Sequence, residues 1–319
     1  MGRFVIRRLA AMVAVLFAVS VLTFLIFNVI PNSDPAARIA GKNATPQLIA
    51  NVRKDFGLDK SLPEQYVTMM KQLFSGDLIS YSSRLNVDDQ IARGLPATFS
   101  LCIGAAVIWM LFGIALGYFS AVRAGGLTDT GLTVLALVGI SLPVVWLGAM
   151  LLYVFSTKLQ LFPNGFYVPL DQDPVQWAYH LILPWTTLAI LFAGFYSRVL
   201  RSNMLDVMNA DYVRTARAKG LSEHRVRTRH VLRNSLIPII SLFGLDFAAV
   251  IGGGAILVES VFSLNGVGQY AADSIKNQDL PPIMAITLFG AFFVVFFNAI
   301  VDIAYAWLDP RIRLGTEAS

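Results

Sequence analysis

Six long runs of apolar residues, separated by polar segments, dominate the pattern along the chain. A helix rises 1.5 Å per residue, so about 20 apolar residues cross a hydrocarbon core of about 30 Å. Inside that core a helix satisfies its own backbone hydrogen bonds. We therefore predict an all-α integral membrane protein with six transmembrane helices. Their predicted ranges are 9–30, 97–122, 130–157, 181–197, 236–258 and 283–308.

Two of the predicted spans contain residues that interrupt a regular helix. Pro143 lies in the middle of the third span, and because proline lacks a backbone N–H, it predicts a kink there. The fifth span contains Gly252, Gly253 and Gly254. These glycines either allow neighbouring helices to approach closely or only make the backbone more flexible. The sequence leaves both interpretations open.

Residues 31–96 separate the first two spans and contain charges of both signs, with no run long enough to cross a membrane. Thr45 followed by Pro46 is typical of a helix start. A second start and a helix end follow at Ser61 and Gly76. We predict a small extracytoplasmic lobe with two amphipathic helices, although a flexible loop is the alternative.

The basic segment, residues 198–235, is the most highly charged part of the chain and contains nine Arg and Lys residues. Placing one such residue at mid-bilayer costs roughly 2.5–3.5 kcal/mol, so burying nine would cost on the order of 20–30 kcal/mol. The basic segment therefore lies in water on one face of the membrane. One interpretation is that its charges only fix the topology; the other is that it forms an ordered docking structure.

Several residues within the basic segment favour ordered structure. Asp211 is a candidate N-cap, and Gly220 suits the left-handed position after a helix end. Ser222 then predicts the start of a second helix that leads into the fifth span. The small side chains of Ala216 and Ala218 leave room for another surface to approach.

The composition excludes a soluble domain, since 56% of the residues are hydrophobic and 14% are charged. The mean hydropathy of +0.63 agrees. The net charge of +5 does not indicate nucleic-acid binding, because the basic residues are concentrated beside apolar runs. The first apolar run is longer than that of a signal peptide and lacks a clear cleavage site, so we expect it to remain as an anchor.

The distribution of basic residues predicts the orientation of the chain. The segments that we assign to the cytoplasm contain fifteen Arg and Lys residues, whereas the two short outer loops contain only Lys158 and Lys276. The lobe is long enough to be exempt from the positive-inside rule. We therefore expect both termini, residues 1–8 and 309–319, in the cytoplasm.

The sequence contains no recognisable catalytic or metal-binding pattern. It has no phosphate-binding G-x-x-x-x-G-K-[ST] loop and no H-E-x-x-H motif. His180, His224 and His230 lie at membrane edges or in the basic segment, and His224 and His230 are six positions apart, the wrong spacing for one helical face, so we predict no metal site. The single cysteine, Cys102, excludes an intrachain disulfide. We expect no catalytic activity and no cofactor bound by this chain.

Residues 211–220 resemble the coupling-loop signature of permease subunits in ATP-binding-cassette (ABC) importers. The matching positions are Asp211, Tyr212, Val213, Arg214, Thr215, Ala216, Arg217, Ala218, Lys219 and Gly220. Three further stretches resemble the B-type permease of the dipeptide, oligopeptide and nickel branch: 259–268, 298–311 and 56–78. The chain departs from the general importer pattern at Arg214-Thr215, where many importers have Glu-Ala, and in the longer spacing from Gly220 to Pro238.

The resemblance implies a six-helix, type I ABC importer permease in a bacterial-type cytoplasmic membrane. It implies a transporter of di- or oligopeptides in which this chain pairs with a second, similar permease. Two ATP-binding subunits, which hold ATP and Mg, would contact residues 211–220, and an extracytoplasmic binding protein would deliver the peptide. Importers of nickel chelates or glutathione would look nearly identical in sequence.

Two acidic residues are further candidates for the translocation pathway. Asp246 lies about 15 Å into the fifth span, where an ionisable group normally has a partner or a role. It could contact the ammonium group of a peptide, hydrogen-bond to a neighbouring helix or stay protonated. Glu259, at the outer end, could hold the exit loop closed or contact the binding protein. We group both with Pro143 and Gly252–Gly254 as candidate pathway or gate residues.

Two other classes of protein remain as alternatives. A stand-alone secondary carrier predicts two related halves with broken helices at mid-membrane, and the sequence contains no such repeat. A membrane-embedded enzyme would need a catalytic constellation, which the sequence lacks.

Overall fold

The computed structural model describes residues 2–29, 35–40 and 45–308. The predicted C-terminal segment 309–319 and the predicted end of the first span at residue 30 lie outside these ranges. In the described residues, helices are joined by turns and irregular loops, and the only β-type pairing there is one isolated bridge between Ile79 and Asn86. The helices are α1 Gly2–Val29, α2 Pro35–Ala40, α3 Pro46–Asp55, α4 Leu62–Ser75, α5 Val87–Val122, α6 Leu127–Ser141, α7 Val144–Leu151, α8 Pro174–Met208, α9 Asp211–Ala218, α10 Glu223–Arg225, α11 Arg233–Ala249, α12 Ile256–Phe262, α13 Val267–Lys276 and α14 Leu280–Leu308. Three π-helical stretches, Leu152–Lys158, Val226–Leu232 and Val250–Gly254, continue α7, α10 and α11.

The described part of the chain contains five helical segments that are long and apolar enough to cross a membrane, and a sixth if a bent pair is counted as one span. The five are α1, α5, α8, α14 and the segment Glu223–Gly254. The bent pair consists of α6 with α7 and its π-helical continuation. The prediction of an all-α membrane protein is confirmed, and six spans result when the bent pair crosses once.

The interruption at Pro143 is larger than the predicted kink. The two helices on either side of it meet at 101°. Leu142, which precedes the proline, has extended backbone geometry with ψ 129°, and Pro143 has ψ 128°. Proline disfavours helical geometry in the residue before it, which explains why the helix ends there and restarts at Val144.

Two of the spanning helices are much longer than their apolar runs. Helix α5 begins ten residues before the predicted position 97, where the side chain of Asn86 accepts a hydrogen bond from the Asp89 amide at 3.0 Å. Helix α8 begins after Asp173, whose carboxylate accepts from two backbone amides, and continues to Met208. Hydrophobicity marks only the part of a helix that faces lipid. The first eleven residues of the basic segment therefore belong to α8.

Helices α5 and α8 pack along a seam of small residues. A Cβ atom on Gly113 would lie 2.7 Å from the Cβ of Tyr196, and one on Gly117 would lie 2.7 Å from the carbonyl oxygen of Ser197. Only glycine therefore permits this backbone approach. Tyr196 and Trp109 are fully buried at the centre of the resulting core.

In the described part of the lobe, the two predicted helices are present. Helix α3 is capped by the Thr45 hydroxyl, and α4 begins with a capping box between Ser61 and Glu64. The lobe packs against the transmembrane helices through a second apolar cluster that includes Met69, Leu78 and Met284.

The segment 259–282, between the fifth and sixth predicted spans, is largely helical, since it contains most of α12 and all of α13. Helix α13 has only ten residues and buries Val267, Gly268, Ala271 and Ser274. Such a short amphipathic helix contains too few apolar residues to stand out beside the long runs.

Candidate functional site

Helix α9 contains most of the predicted coupling residues, and one of its faces packs against the core of the protein. Val213 and Ala216 are buried in the main core, which also contains Val226 and Val231 of the adjacent π-helical stretch. Ala216 is therefore unavailable to a partner, contrary to our expectation, because it packs inward. Ala218 is exposed.

The predicted N-cap of α9 is wrong by one residue, whereas the predicted helix end at Gly220 and helix start at Ser222 agree with the structure. Ala210 occupies the N-cap position, and Asp211 is the first helical residue. Gly220 has φ +79°, the left-handed geometry predicted for it, and no atom lies within 4 Å of the place where a Cβ would be. Ser222 precedes α10 as its N-cap residue.

The outward surface of α9 is polar and mostly basic. Arg214, Arg217 and Lys219 are exposed, as is Thr215. Arg217 donates to Glu223 at 2.9 Å, and Arg214 lies 3.6 Å from Asp211. Exposed pairs of this kind contribute little to stability, so the arginines remain free to exchange partners. Tyr212 is half-exposed, and its hydroxyl accepts a hydrogen bond from Asn234 at 3.0 Å.

Asp246 lies in the interior, partly buried on α11. The hydroxyl of Tyr196 on α8 donates to its Oδ2 atom at 2.7 Å. Of the three roles considered for Asp246, the structure therefore contains the hydrogen bond to a neighbouring helix. That bond occupies one carboxylate oxygen and ties α8 to α11.

The glycines 252–254 interrupt the fifth span, and Gly252 and Gly253 have different roles there. Gly253 has φ +150°, which separates α11 from α12. Gly252 lies against Gly290 of α14, where a Cβ on Gly290 would lie 2.3 Å from the Gly252 carbonyl oxygen. Close helix approach therefore applies to Gly252, and backbone freedom applies to Gly253.

Glu259 is fully buried and joins three elements at one end of the molecule. Its Oε1 accepts a hydrogen bond from the Thr98 hydroxyl of α5 at 2.7 Å. Its Oε2 accepts from the backbone amide of Gln269 in α13 at 2.9 Å, and the amide of Gly268 also donates to this carboxylate. Burial raises the pKa of Glu259, and these hydrogen bonds partly offset the rise. The burial is incompatible with direct contact to a binding protein in this conformation.

Two further buried acids were missed at the sequence level. Asp129 forms a bidentate ion pair with Arg201, with both N···O distances at 2.7 Å. Asp279 accepts hydrogen bonds from Ser80 and Ser82 of the lobe and anchors it to the start of α14. The partners are 72 and about 200 positions apart, so no local pattern could have predicted either pairing.

No group of three His, Cys, Asp or Glu residues in the described ranges is arranged to hold a metal ion. Cys102 is buried. The elements brought together are thus a broken span, a glycine break, buried acids and an exposed basic helix. They define a multi-pass helical membrane protein of the transport class.

Comparison with known proteins gives the family. Residues 113–314 match the model of the binding-protein-dependent transport system inner membrane component, and residues 1–102 match the N-terminal model of the same systems. The chain therefore belongs to the family of binding-protein-dependent transport system inner membrane components. This membership agrees with two predictions from the sequence, namely that the chain is an ABC importer permease and that it lies in the inner membrane.

Two relatives match along nearly their whole length. A glutathione transport system permease protein of Escherichia coli is 39% identical over 314 residues, which cover 98% of this chain and 99% of the relative. A dipeptide transport system permease protein of Bacillus subtilis is 35% identical over 316 residues, with the same coverage. A crystal structure of an amino acid ABC transporter with histidines has a TM-score of 0.52 at 14% identity and covers 68% of this chain and 92% of that chain. The last likeness concerns the fold alone, and the expected type I permease fold is confirmed.

Proposed function

We propose that this chain forms one half of the translocation pathway of an ABC importer for di- and oligopeptides. The observation that carries the proposal is α9, a basic helix that is fixed to the core by Val213 and Ala216 while its charged face stays exposed. The full-length similarity to a dipeptide permease supports the peptide substrate. Glutathione is the second candidate, favoured by the 39% identical relative, and nickel chelates are a third.

In this proposal α9 docks on an ATPase subunit, and ATP and Mg are bound there and not by this chain. Ala218 and Gly220 present no bulk, which allows the surfaces to approach closely. Arg214, Arg217 and Lys219 would face acidic side chains of the ATPase. Closure of two ATPase subunits would pull α9 and its counterpart on the second permease together and reorient the pathway.

The proposed assembly contains this chain, a second homologous permease, two ATPase subunits and an extracytoplasmic binding protein. An N-in, C-in topology would place α9 in the cytoplasm and the lobe outside. This arrangement fits the charges, since the basic segment would then lie on the side that normally retains Arg and Lys.

Within the membrane, Pro143, Asp246 and Gly252–Gly254 are the proposed pathway residues. Each lies at a break or a polar site inside an apolar span, where rigid segments on either side can move relative to each other. Glu259 would hold the outer end closed through its contacts with α5 and α13.

Reconstitution with candidate partners tests the proposal. The complete assembly in proteoliposomes is expected to take up labelled di- and tripeptides only when ATP and the binding protein are present. Omitting the ATPase subunits should abolish uptake, which distinguishes the importer from a stand-alone carrier. Uptake by the purified chain alone would contradict the proposal. If the assembly takes up only glutathione or only a nickel chelate in an ATP-driven manner, that compound and not a peptide is the substrate.

A further inference from the structure

An ion pair between α6 and α8, formed by buried Asp129 and partly exposed Arg201, has no part in the function described so far. Asp129 lies in the first turn of α6 with 4% of its surface exposed. Arg201 of α8 donates to both carboxylate oxygens at 2.7 Å, the fork geometry that gives a charged pair its directionality. The Ser120 hydroxyl donates to Oδ1 at 2.5 Å, and the Gly125 amide donates to Oδ2 at 2.9 Å.

These contacts connect three helices at one point. Ser120 lies in the last turn of α5, Gly125 in the following turn, Asp129 in α6 and Arg201 in α8. The seam at Gly113 and Gly117 already brings α5 against α8, and the ion pair extends this contact to α6. The end of α8, the end of α5 and the start of α6 are therefore held as one unit.

Along the chain, Arg201 lies between Tyr196 and the start of α9. Arg201 precedes the start of α9 by ten residues, and α8 ends at Met208. In the other direction, α6 leads to the break at Pro143, and α8 carries Tyr196, which hydrogen-bonds to Asp246. Helix α8, which is joined to α9 by Asn209 and Ala210, therefore links α9 to both proposed pathway elements.

We propose that Asp129 and Arg201 are positioning residues that couple movement of α9 to the broken span α6–α7. This inference rests on the proposed importer function. The pair is a modest contributor to stability, because the cost of desolvating the Asp129 carboxylate offsets part of the attraction and the Arg201 side chain is still 31% exposed. The fork nevertheless fixes the relative position of two helices, since its two parallel bonds weaken when either helix turns.

The first test compares transport with ATP hydrolysis in the complete assembly. The variants are Asp129→Asn, which loses the charge, and Arg201→Lys, which keeps the charge but loses the fork. Asp206→Asn is the matched control, since Asp206 is an exposed acid on α8, the helix that contains Arg201. We expect Asp129→Asn to lower peptide uptake per ATP hydrolysed by roughly 3- to 30-fold, with Arg201→Lys intermediate and the control unchanged.

The second test separates a positioning role from a purely structural one. Spin labels on Gly131 of α6 and on Asn209, which precedes α9 and lies outside the proposed docking residues 211–220, report the distance between α6 and the start of α9; both positions are exposed. We expect one narrow distance distribution in the unsubstituted assembly, with and without ATP, and a broad one in either ion-pair variant. A structural role alone would reduce the yield of the assembly but leave the ratio of uptake to ATP hydrolysis unchanged in the complexes that form.

The outcomes are distinguishable from failure of the proposed function. An unsubstituted assembly without ATP-dependent peptide uptake would overturn the importer proposal and this inference with it. Normal uptake with an unchanged ratio and an unchanged distance distribution in Arg201→Lys would overturn this inference alone. If Asp129→Asn does not assemble, the same two readouts on Arg201→Lys decide the matter.

Discussion

At the scale of single residues, the buried acids have the most specific environments. Asp129 faces a guanidinium group, Glu259 faces a hydroxyl and backbone amides, and Asp279 faces the serines of the lobe. A buried carboxylate is tolerated only when its oxygens are hydrogen-bonded. Each of these residues therefore fixes the position of at least two elements.

Glu259 gives a prediction that depends on these hydrogen bonds. Glu259→Ala leaves the Thr98 hydroxyl and two backbone amides without an acceptor, and each unpaired buried donor costs about 1–3 kcal/mol. We expect the free energy of unfolding to fall by about 3 kcal/mol or more. Glu259→Gln keeps a carbonyl oxygen and should lose much less. Thermal unfolding of the purified protein measures both changes, and equal melting temperatures for all three proteins would contradict the hydrogen-bond assignment.

The same residue predicts a pH dependence. Because burial raises the pKa of Glu259 above its unfolded value, the neutral carboxyl group is favoured in the folded state. Its stabilising contribution is fully present below the unfolded pKa of about 4.3 and is lost as the pH rises through the higher folded pKa. Glu259→Gln, which does not titrate, should flatten this part of the profile. Asp59→Asn, at an exposed position, is the control and should leave the profile unchanged.

At the scale of secondary-structure elements, the positions of the helices follow from local signals, and the angles between them do not. Capping residues predicted α3 and α4, and Gly220 predicted the end of α9. Pro143 predicted an interruption but not its 101° bend, because proline prevents a straight helix without setting the direction of the next one. The full lengths of α5 and α8 were missed, since their polar ends lack the hydrophobic signal that marks the central part.

Gly220 gives a prediction at this scale. An alanine in left-handed geometry costs about 1–2 kcal/mol, which lowers the population of the native turn about 5- to 30-fold. We expect Gly220→Ala to reduce amide protection throughout α9 in hydrogen-exchange measurements. It should also reduce peptide-stimulated ATP hydrolysis in the assembled importer, while membrane insertion is retained.

Gly131→Ala is the matched control for this substitution. Gly131 lies in α6 with ordinary helical geometry, and it likewise has no atom within 4 Å of the added Cβ. Alanine is favoured over glycine in a helix by about 1 kcal/mol, so this change should not weaken the protein. Equal hydrogen exchange of α9 in the two variants would show that the left-handed turn is not needed to hold this helix.

At the scale of the whole molecule, the orientation in the membrane decides which surface each partner can reach. The proposed topology places α9 inside and the lobe outside. Cys102 is the only cysteine and is buried, so an introduced cysteine can be labelled with little background. Lys60, a polar and exposed residue between α3 and α4, is a suitable site in the lobe.

Labelling with a membrane-impermeant maleimide tests this topology. We expect Lys60→Cys to react in right-side-out vesicles and Ala218→Cys to react in inverted vesicles that lack the ATPase subunits. The unsubstituted protein should react in neither. The opposite pattern would reverse the proposed orientation and would rule out docking of α9 on a cytoplasmic ATPase.

The sequence by itself determined the all-α membrane class, the approximate spans, the lobe helices and the exposed basic character of residues 211–220. These properties depend on hydrophobicity, charge and capping, which are encoded by neighbouring residues. Only the tertiary structure decided that Ala216 faces inward, that Glu259 is buried, that Gly252 contacts Gly290 and that Asp129 pairs with Arg201. Each of these depends on residues far apart in the chain, and whether such residues meet is set by how the helices pack.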